Sequence, residues 1–183
     1  LAVARALELD VSRAAQCLES YEGVARRQSL VFKNRDFKIY DDYAHNPGKI
    51  KACITALRQA WKTEKITVVY QPHRYSRLET MYDDTMAAFV GADLVLVLPV
   101  YSAGELASQD FSTDRLARDI TSKSEVKALP LSQDFKEIPE LFLKNSFKPG
   151  IIITVGAGDV STVAQNIRSI LDGNHGVDGR QKE

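Results

Sequence analysis

The sequence predicts an α/β domain: a Rossmann-like, mostly parallel sheet with helices on both faces and an antiparallel hairpin element at its N-terminal side. Two patterns predict it. The runs Ile66–Tyr70, Asp93–Leu98 and Ile151–Val155 are almost continuously apolar and rich in Val, Ile and Leu, as strands covered on both faces are. Between them lie helix-length segments with apolar residues at helical spacing. That alternation implies right-handed crossovers joining parallel neighbours.

The elements follow in order. Residues 1–22 read as two short helices. Leu1, Ala4, Leu7 and Leu9 give one apolar stripe; Asp10 or Ser12 caps the second helix, Ala14, Ala15, Leu18 and Tyr21 are its apolar side, and Gly23 stops it. This piece cannot bury both faces alone, so it is expected to pack on something upstream or to lie across the main domain. Ser29–Lys33 and Phe37–Asp41 read as a hairpin about Asn34, Arg35 and Asp36. A helix over Pro47–Trp61 starts on proline, whose missing N–H is not needed in a first turn. Ile50, Cys53, Ile54, Leu57 and Trp61 form its buried stripe. Helices are predicted over 78–90, 112–121 and 133–144, with a weaker strand over Val126–Leu129. Asp159–Leu171 is the last helix, and the polar, glycine-rich tail Asp172–Glu183 is expected to be disordered.

Composition narrows the class. The chain has 183 residues, 44% hydrophobic and 26% charged, which excludes a globally disordered protein. No apolar run approaches about 18 residues, so no membrane-spanning helix is predicted, and the N-terminus lacks a signal-peptide pattern. A net charge of zero argues against a general nucleic-acid binder. The charge is nevertheless uneven: residues 1–80 carry 14 Lys and Arg against 9 Asp and Glu, and residues 81–183 carry 10 against 15. Cys17 and Cys53 lack metal-ligand spacing and are expected to be buried free thiols, as suits a reducing cytosol. The chain begins without Met and in mid-helix, the pattern expected of a piece of a longer protein.

In a doubly wound sheet, ligands bind at the C-terminal ends of the strands. Four such ends are chemically unusual: Asp41–Pro47 (DDYAHNP), Gln71–Arg77 (QPHRYSR), Pro99–Glu105 (PVYSAGE) and Gly156–Asp159 (GAGD). A carboxylate of the Asp41-Asp42 pair there accepts from ribose hydroxyls or binds a metal through water; the alternative is a helix cap. His45 and Asn46 precede a helix whose N–H groups favour anions. His73, Arg74 and Arg77 suit carboxylate and phosphate, or ion pairs with Glu79, Asp83 and Asp84. Gly156-Ala157-Gly158 fails the dinucleotide fingerprint, because Ser161 occupies the third glycine position and the loop follows the last strand. It either lets backbone approach a ligand or makes a tight turn. The chain contains no phosphate-binding G-x-x-x-x-G-K-[ST] loop, no Cys/His metal cluster and no G-x-S-x-G elbow.

These four segments, in this order and spacing, resemble the C-terminal domain of the Mur ligases, most nearly the alanine-adding members. Gly23-Val-Ala-Arg-Arg27 resembles the junction between that family's central ATPase domain and its C-terminal domain. The resemblance implies that residues 1–24 are terminal helices of the central domain and that residues 25–171 are the C-terminal domain. It implies an ATP- and Mg2+-dependent cytoplasmic bacterial enzyme of peptidoglycan precursor synthesis, which activates the UDP-N-acetylmuramate carboxylate as an acyl phosphate for attack by the L-alanine amine. By resemblance, Arg27 and Asp42 serve ATP, and His45, Arg74 and Arg77 receive the amino acid. His73, Tyr101, Glu105 and Asp159 line the same rim, no residue is assigned as certainly catalytic, and no metal ligand is expected in this piece. Its partners would be UDP-N-acetylmuramate, L-alanine and the upstream domains, with no nucleic acid and no membrane insertion. Gln28 and Asn46 depart from the family pattern, where an aromatic and a second His are frequent. The piece alone is expected to be inactive. Two other readings remain open: the C-terminal domain of a murein tripeptide ligase, and a non-catalytic Rossmann-type binding module.

Overall fold

The computed structural model describes residues 1–20, 23–131, 138 and 149–174. Six strands form one sheet: β1 (Ser29–Lys33), β2 (Phe37–Asp42), β3 (Lys65–Tyr70), β4 (Leu94–Val97), β5 (Ala128–Pro130) and β6 (Gly150–Val155). Their spatial order is β1-β2-β6-β3-β4-β5. β1 pairs antiparallel with β2, and the other described pairs are parallel. The expected mixed, Rossmann-like sheet is therefore present.

The α-helices whose bounds are described are α1 (Ala2–Ala6), α2 (Val11–Glu19), α3 (Pro47–Ala60), α4 (Tyr75–Met86), α5 (Thr113–Ser124) and α6 (Ser161–Asn174). α3, α4 and α5 follow strands laid down in one direction, so right-handed crossovers place them on one face. There Ile54, Leu57, Leu78, Met86, Leu116 and Ile120 pack on Ile66, Val68, Val95, Ile151 and Ile153. The chain then returns to β6, between β2 and β3, and the same rule puts the return on the opposite face. Ile138, which is helical, packs there with Val160, Val163, Ala164 and Ile167 of the α6 region against Ile39, Val69, Leu96 and Ile152. Successive residues of β6 thus feed opposite cores, as a strand's alternation requires.

The register sets the geometry of everything that follows. Asp42, Val155, Tyr70, Val97 and Pro130 stand level across β2, β6, β3, β4 and β5. The four unusual segments therefore leave the sheet at one height. β6 leads to α6 on one face while its neighbours lead to α3 and α4 on the other, so its C-terminal end is the topological switch point.

Several expectations need correcting. Of the two caps expected for α2, Asp10 is the one used, accepting from Ser12 N at 2.9 Å and Arg13 N at 3.1 Å. α2 ends at Glu19 with Ser20 as its cap, ahead of Gly23; Tyr21 lies outside the described residues. Neither α1 nor α2 has a buried residue, so they do not pack across the sheet. For that reason Cys17 is exposed, whereas Cys53 is buried as expected. α4 starts at Tyr75, three residues before the predicted 78, because Arg74 adopts φ 69 and Tyr75 can then enter the helix. α6 continues through Asp172 to Asn174, so the tail is not disordered from Asp172; residues 175–183 lie outside the described region. The predicted 133–144 helix also lies outside it, apart from Ile138.

Candidate functional site

The rim is assembled around two carboxylates at the end of β2. Asp41 is buried and accepts Thr154 Oγ1 at 2.6 Å and Arg26 Nε at 3.2 Å. Arg26 reaches onward to the Gly156 carbonyl at 2.8 Å and lies over the Tyr43 ring, 4.8 Å from its centre. Asp41 and Arg26 thus pin the β1 approach to the β6 loop. Asp42 turns the other way, accepting Gln28 N at 2.8 Å and Ala44 N at 2.7 Å. It lines an open cleft of about 320 Å³ with Arg27, Gln28, Lys49, Ala52 and Cys53. Gln28 closes the wall, donating Nε2 to the Cys53 carbonyl at 3.0 Å. Burial first, and the Asp42 charge second, push the Cys53 thiol up to about 12, so it is no nucleophile here.

Next to this cleft stands a chain of rings and cations. His45 Nδ1 lies 2.8 Å from the Tyr43 carbonyl. A carbonyl only accepts, so Nδ1 carries the proton and neutral His45 presents a lone pair at Nε2. His73 has the opposite tautomer: its Nδ1 faces Arg77 Nη1 at 3.1 Å, and a guanidinium only donates. The His45 and His73 ring centres are 6.1 Å apart, and His73 stacks on Tyr101 at 5.5 Å. Burial holds both imidazoles below their ordinary pKa. The Arg77 charge adds to the effect on both, while the Tyr43 carbonyl opposes it at His45. Arg74 is exposed at the start of α4, its backbone N–H donated to the Tyr101 carbonyl at 2.9 Å. Asn46 is the N-cap of α3, accepting Lys49 N at 3.0 Å, which gives it a structural task.

The glycine loop serves the protein rather than a dinucleotide. A Cβ on Gly158 would sit 2.4 Å from Gln71 Oε1 and 2.7 Å from Tyr101 Cγ, and one on Gly156 would sit 2.8 Å from the Gln71 carbonyl. Buried Gln71 donates to Asp159 Oδ1 at 2.6 Å and accepts Val160 N at 3.1 Å. The amide that an incoming phosphate would seek is already paired, and Asp159 places a carboxylate beside it.

A family model described as Mur ligase, glutamate ligase domain, matches residues 26–158. The chain belongs to the Mur ligase family. This Mur ligase domain is 33% identical over 172 residues to a UDP-N-acetylmuramate–L-alanine ligase of Desulforapulum autotrophicum, covering 93% of this chain and 37% of that protein. It is 37% identical over 174 residues to the enzyme so named in Syntrophus aciditrophicus, covering 93% of this chain and 35% of that one. The crystal structure of a UDP-N-acetylmuramate–alanine ligase from Thermotoga maritima superposes with a TM-score of 0.74 at 26% identity, over 94% of this chain and 36% of that one. The chain thus spans little more than a third of the length of these relatives.

Within the Mur ligase domain, the expected residues fall into three groups. Arg27 and Asp42 share the cleft. His45, His73, Arg77 and Tyr101 form one contiguous cluster, with Arg74 beside it at the head of α4. Glu105 and Asp159 are engaged by protein groups, Ser76 and Gln71 respectively; the Ser76 hydrogen bonds hold Glu105 below the usual carboxylate range. Sequence reasoning singled out neither Arg26 nor Gln71 as a site residue. The doubled arginine at 26–27 and the uncharged amide at a strand end were the available signals.

Proposed function

We propose that this chain is the C-terminal domain of an ATP-dependent ligase joining L-alanine to UDP-N-acetylmuramate, receiving the amino acid and completing the ATP site of a preceding domain. The observation that carries this reading is the level rim, which sets Arg74, Arg77 and two neutral imidazoles beside a cleft holding Asp42 and Arg27. The relatives' names supply the substrates.

On this reading, Arg74 and Arg77 take the alanine carboxylate through their planar forks. Their charge also disfavours a nearby ammonium and so favours the neutral amine that attacks. His45, with its lone pair at Nε2, suits the amine end of the amino acid better than the carboxylate end first expected of it. In the cleft, both Asp42 oxygens accept one N–H each and keep lone pairs for a ribose diol, and Arg27 and Lys49 supply charge for phosphate. On the same reading, Mg2+ is held with the phosphates by the preceding domain. On this reading the enzyme works in the bacterial cytoplasm.

The test is phosphate release from ATP with UDP-N-acetylmuramate, comparing L-alanine with a peptide acceptor, for the full-length enzyme and for this chain alone. The proposal expects alanine-dependent release by the full-length enzyme and none by the isolated chain. Preference for the peptide, or turnover by the isolated chain, would overturn it.

A further inference from the structure

α4 begins without a cap of its own. Arg74, at the N-cap position, has φ 69 and ψ 133, and its side chain makes no capping hydrogen bond. A helix start leaves its first N–H groups without intrahelical partners and concentrates partial positive charge. Here the partner comes from 29 residues away: Glu105 accepts Ser76 N at 3.1 Å and Ser76 Oγ at 2.5 Å.

The loop after β4 is shaped to deliver that carboxylate. Ala103 and Gly104 are both left-handed, at φ 51 and 89, and Glu105 N closes a turn onto the Ser102 carbonyl at 3.1 Å. The loop's other end is tied to the same strand exit. Tyr101 N donates to the Pro72 carbonyl at 2.8 Å, and Arg74 N donates back to the Tyr101 carbonyl at 2.9 Å. Arg74 and Arg77 flank the very turn that these contacts grip. A carboxylate on a rim suited to anions would otherwise repel the substrate; with both oxygens engaged by Ser76, its charge is directed into the helix end.

We propose that Glu105 is a positioning residue: it caps α4 from a distance, in place of Arg74, and so fixes where Arg74 and Arg77 present their guanidinium groups. This rests on the alanine-ligase reading for its substrate, but the capping itself does not.

The test uses the full-length enzyme with Glu105→Ala, Glu105→Gln and Glu105→Ala combined with Ser76→Ala. Glu105→Ala should raise the KM for alanine about tenfold, the size of a lost helix cap, with the KM for ATP within about twofold. Glu105→Gln keeps an accepting oxygen and should recover about half of that loss on a logarithmic scale. The double variant should be no worse than Glu105→Ala alone. Hydrogen exchange supplies a readout independent of substrate: the Ser76 amide should exchange faster in Glu105→Ala. If Glu105→Ala fails to fold, Glu105→Gln carries both readouts. Equal shifts in the alanine and ATP constants, or no shift in either, would overturn the positioning role, and unchanged exchange at Ser76 would overturn the cap. An enzyme that turns over without alanine would instead refute the ligase reading, leaving the exchange result to judge the cap.

Discussion

Gly158→Ala probes the join between the β6 loop and the cation cluster. The backbone at 158 suits any residue, so the obstacle is space: the new Cβ would lie 2.4 Å from Gln71 Oε1 and 2.7 and 2.9 Å from two Tyr101 ring carbons. Either Gln71 swings away, giving up Asp159 and Val160 N, or Tyr101 shifts and takes the stacked His73 with it. Overpacking costs about 1–3 kcal/mol, and an unpaired buried amide costs about as much. A net loss of about 2–4 kcal/mol should lower the Tm of the purified chain by roughly 5–15 °C. Gly48→Ala is the matched control. Gly48 lies in the first turn of α3, with its nearest outside atom, Asn46 Oδ1, 3.8 Å from the added Cβ. Alanine there should stabilise by about 0.4–1 kcal/mol through a less free unfolded chain. Thermal unfolding of the two variants side by side checks both signs. A Gly158→Ala chain melting with the wild type would refute the packing argument.

Two further outcomes are expected. Folding holds His45 and His73 below their ordinary value of 6.5, chiefly by burial. The unfolded chain therefore binds more protons just below that pH, so this contribution to stability is present above 6.5 and is lost as the pH falls through the folded values. Urea midpoints should decline from about pH 6.5 downward, before most carboxylates titrate, and His73→Gln should flatten the decline. Asp42→Asn in the full-length enzyme should weaken ATP use by about tenfold or more while leaving alanine nearly untouched; an unchanged KM for ATP would remove Asp42 from that role.

Much of the fold was legible because strands buried on both faces announce themselves. Ile66–Tyr70 and Ile151–Val155 need no partner to be read as central strands, and their register then puts four polar segments at one height. What escaped the sequence depended on contacts between distant residues. The early start of α4 needs a left-handed Arg74 and a carboxylate 29 residues away. The purpose of Gly158 appears only once Gln71 and Tyr101 close on it. The exposure of Cys17 follows from a helix with no buried residue, which local pattern cannot report. The histidine tautomers, too, are set by a carbonyl and a guanidinium that only folding supplies.

On the proposed ligase reading, the cluster around Arg77 holds the amino acid while the Asp42 cleft serves ATP. Arg77→Ala in the full-length enzyme separates the two roles. Losing a charge-assisted clamp worth about 1.5–3 kcal/mol should raise the KM for alanine roughly 10- to 150-fold, with the KM for ATP changed by less than about threefold. An ATP constant that rises as much as the alanine constant, or an alanine constant that does not move, would remove Arg77 from the amino-acid clamp.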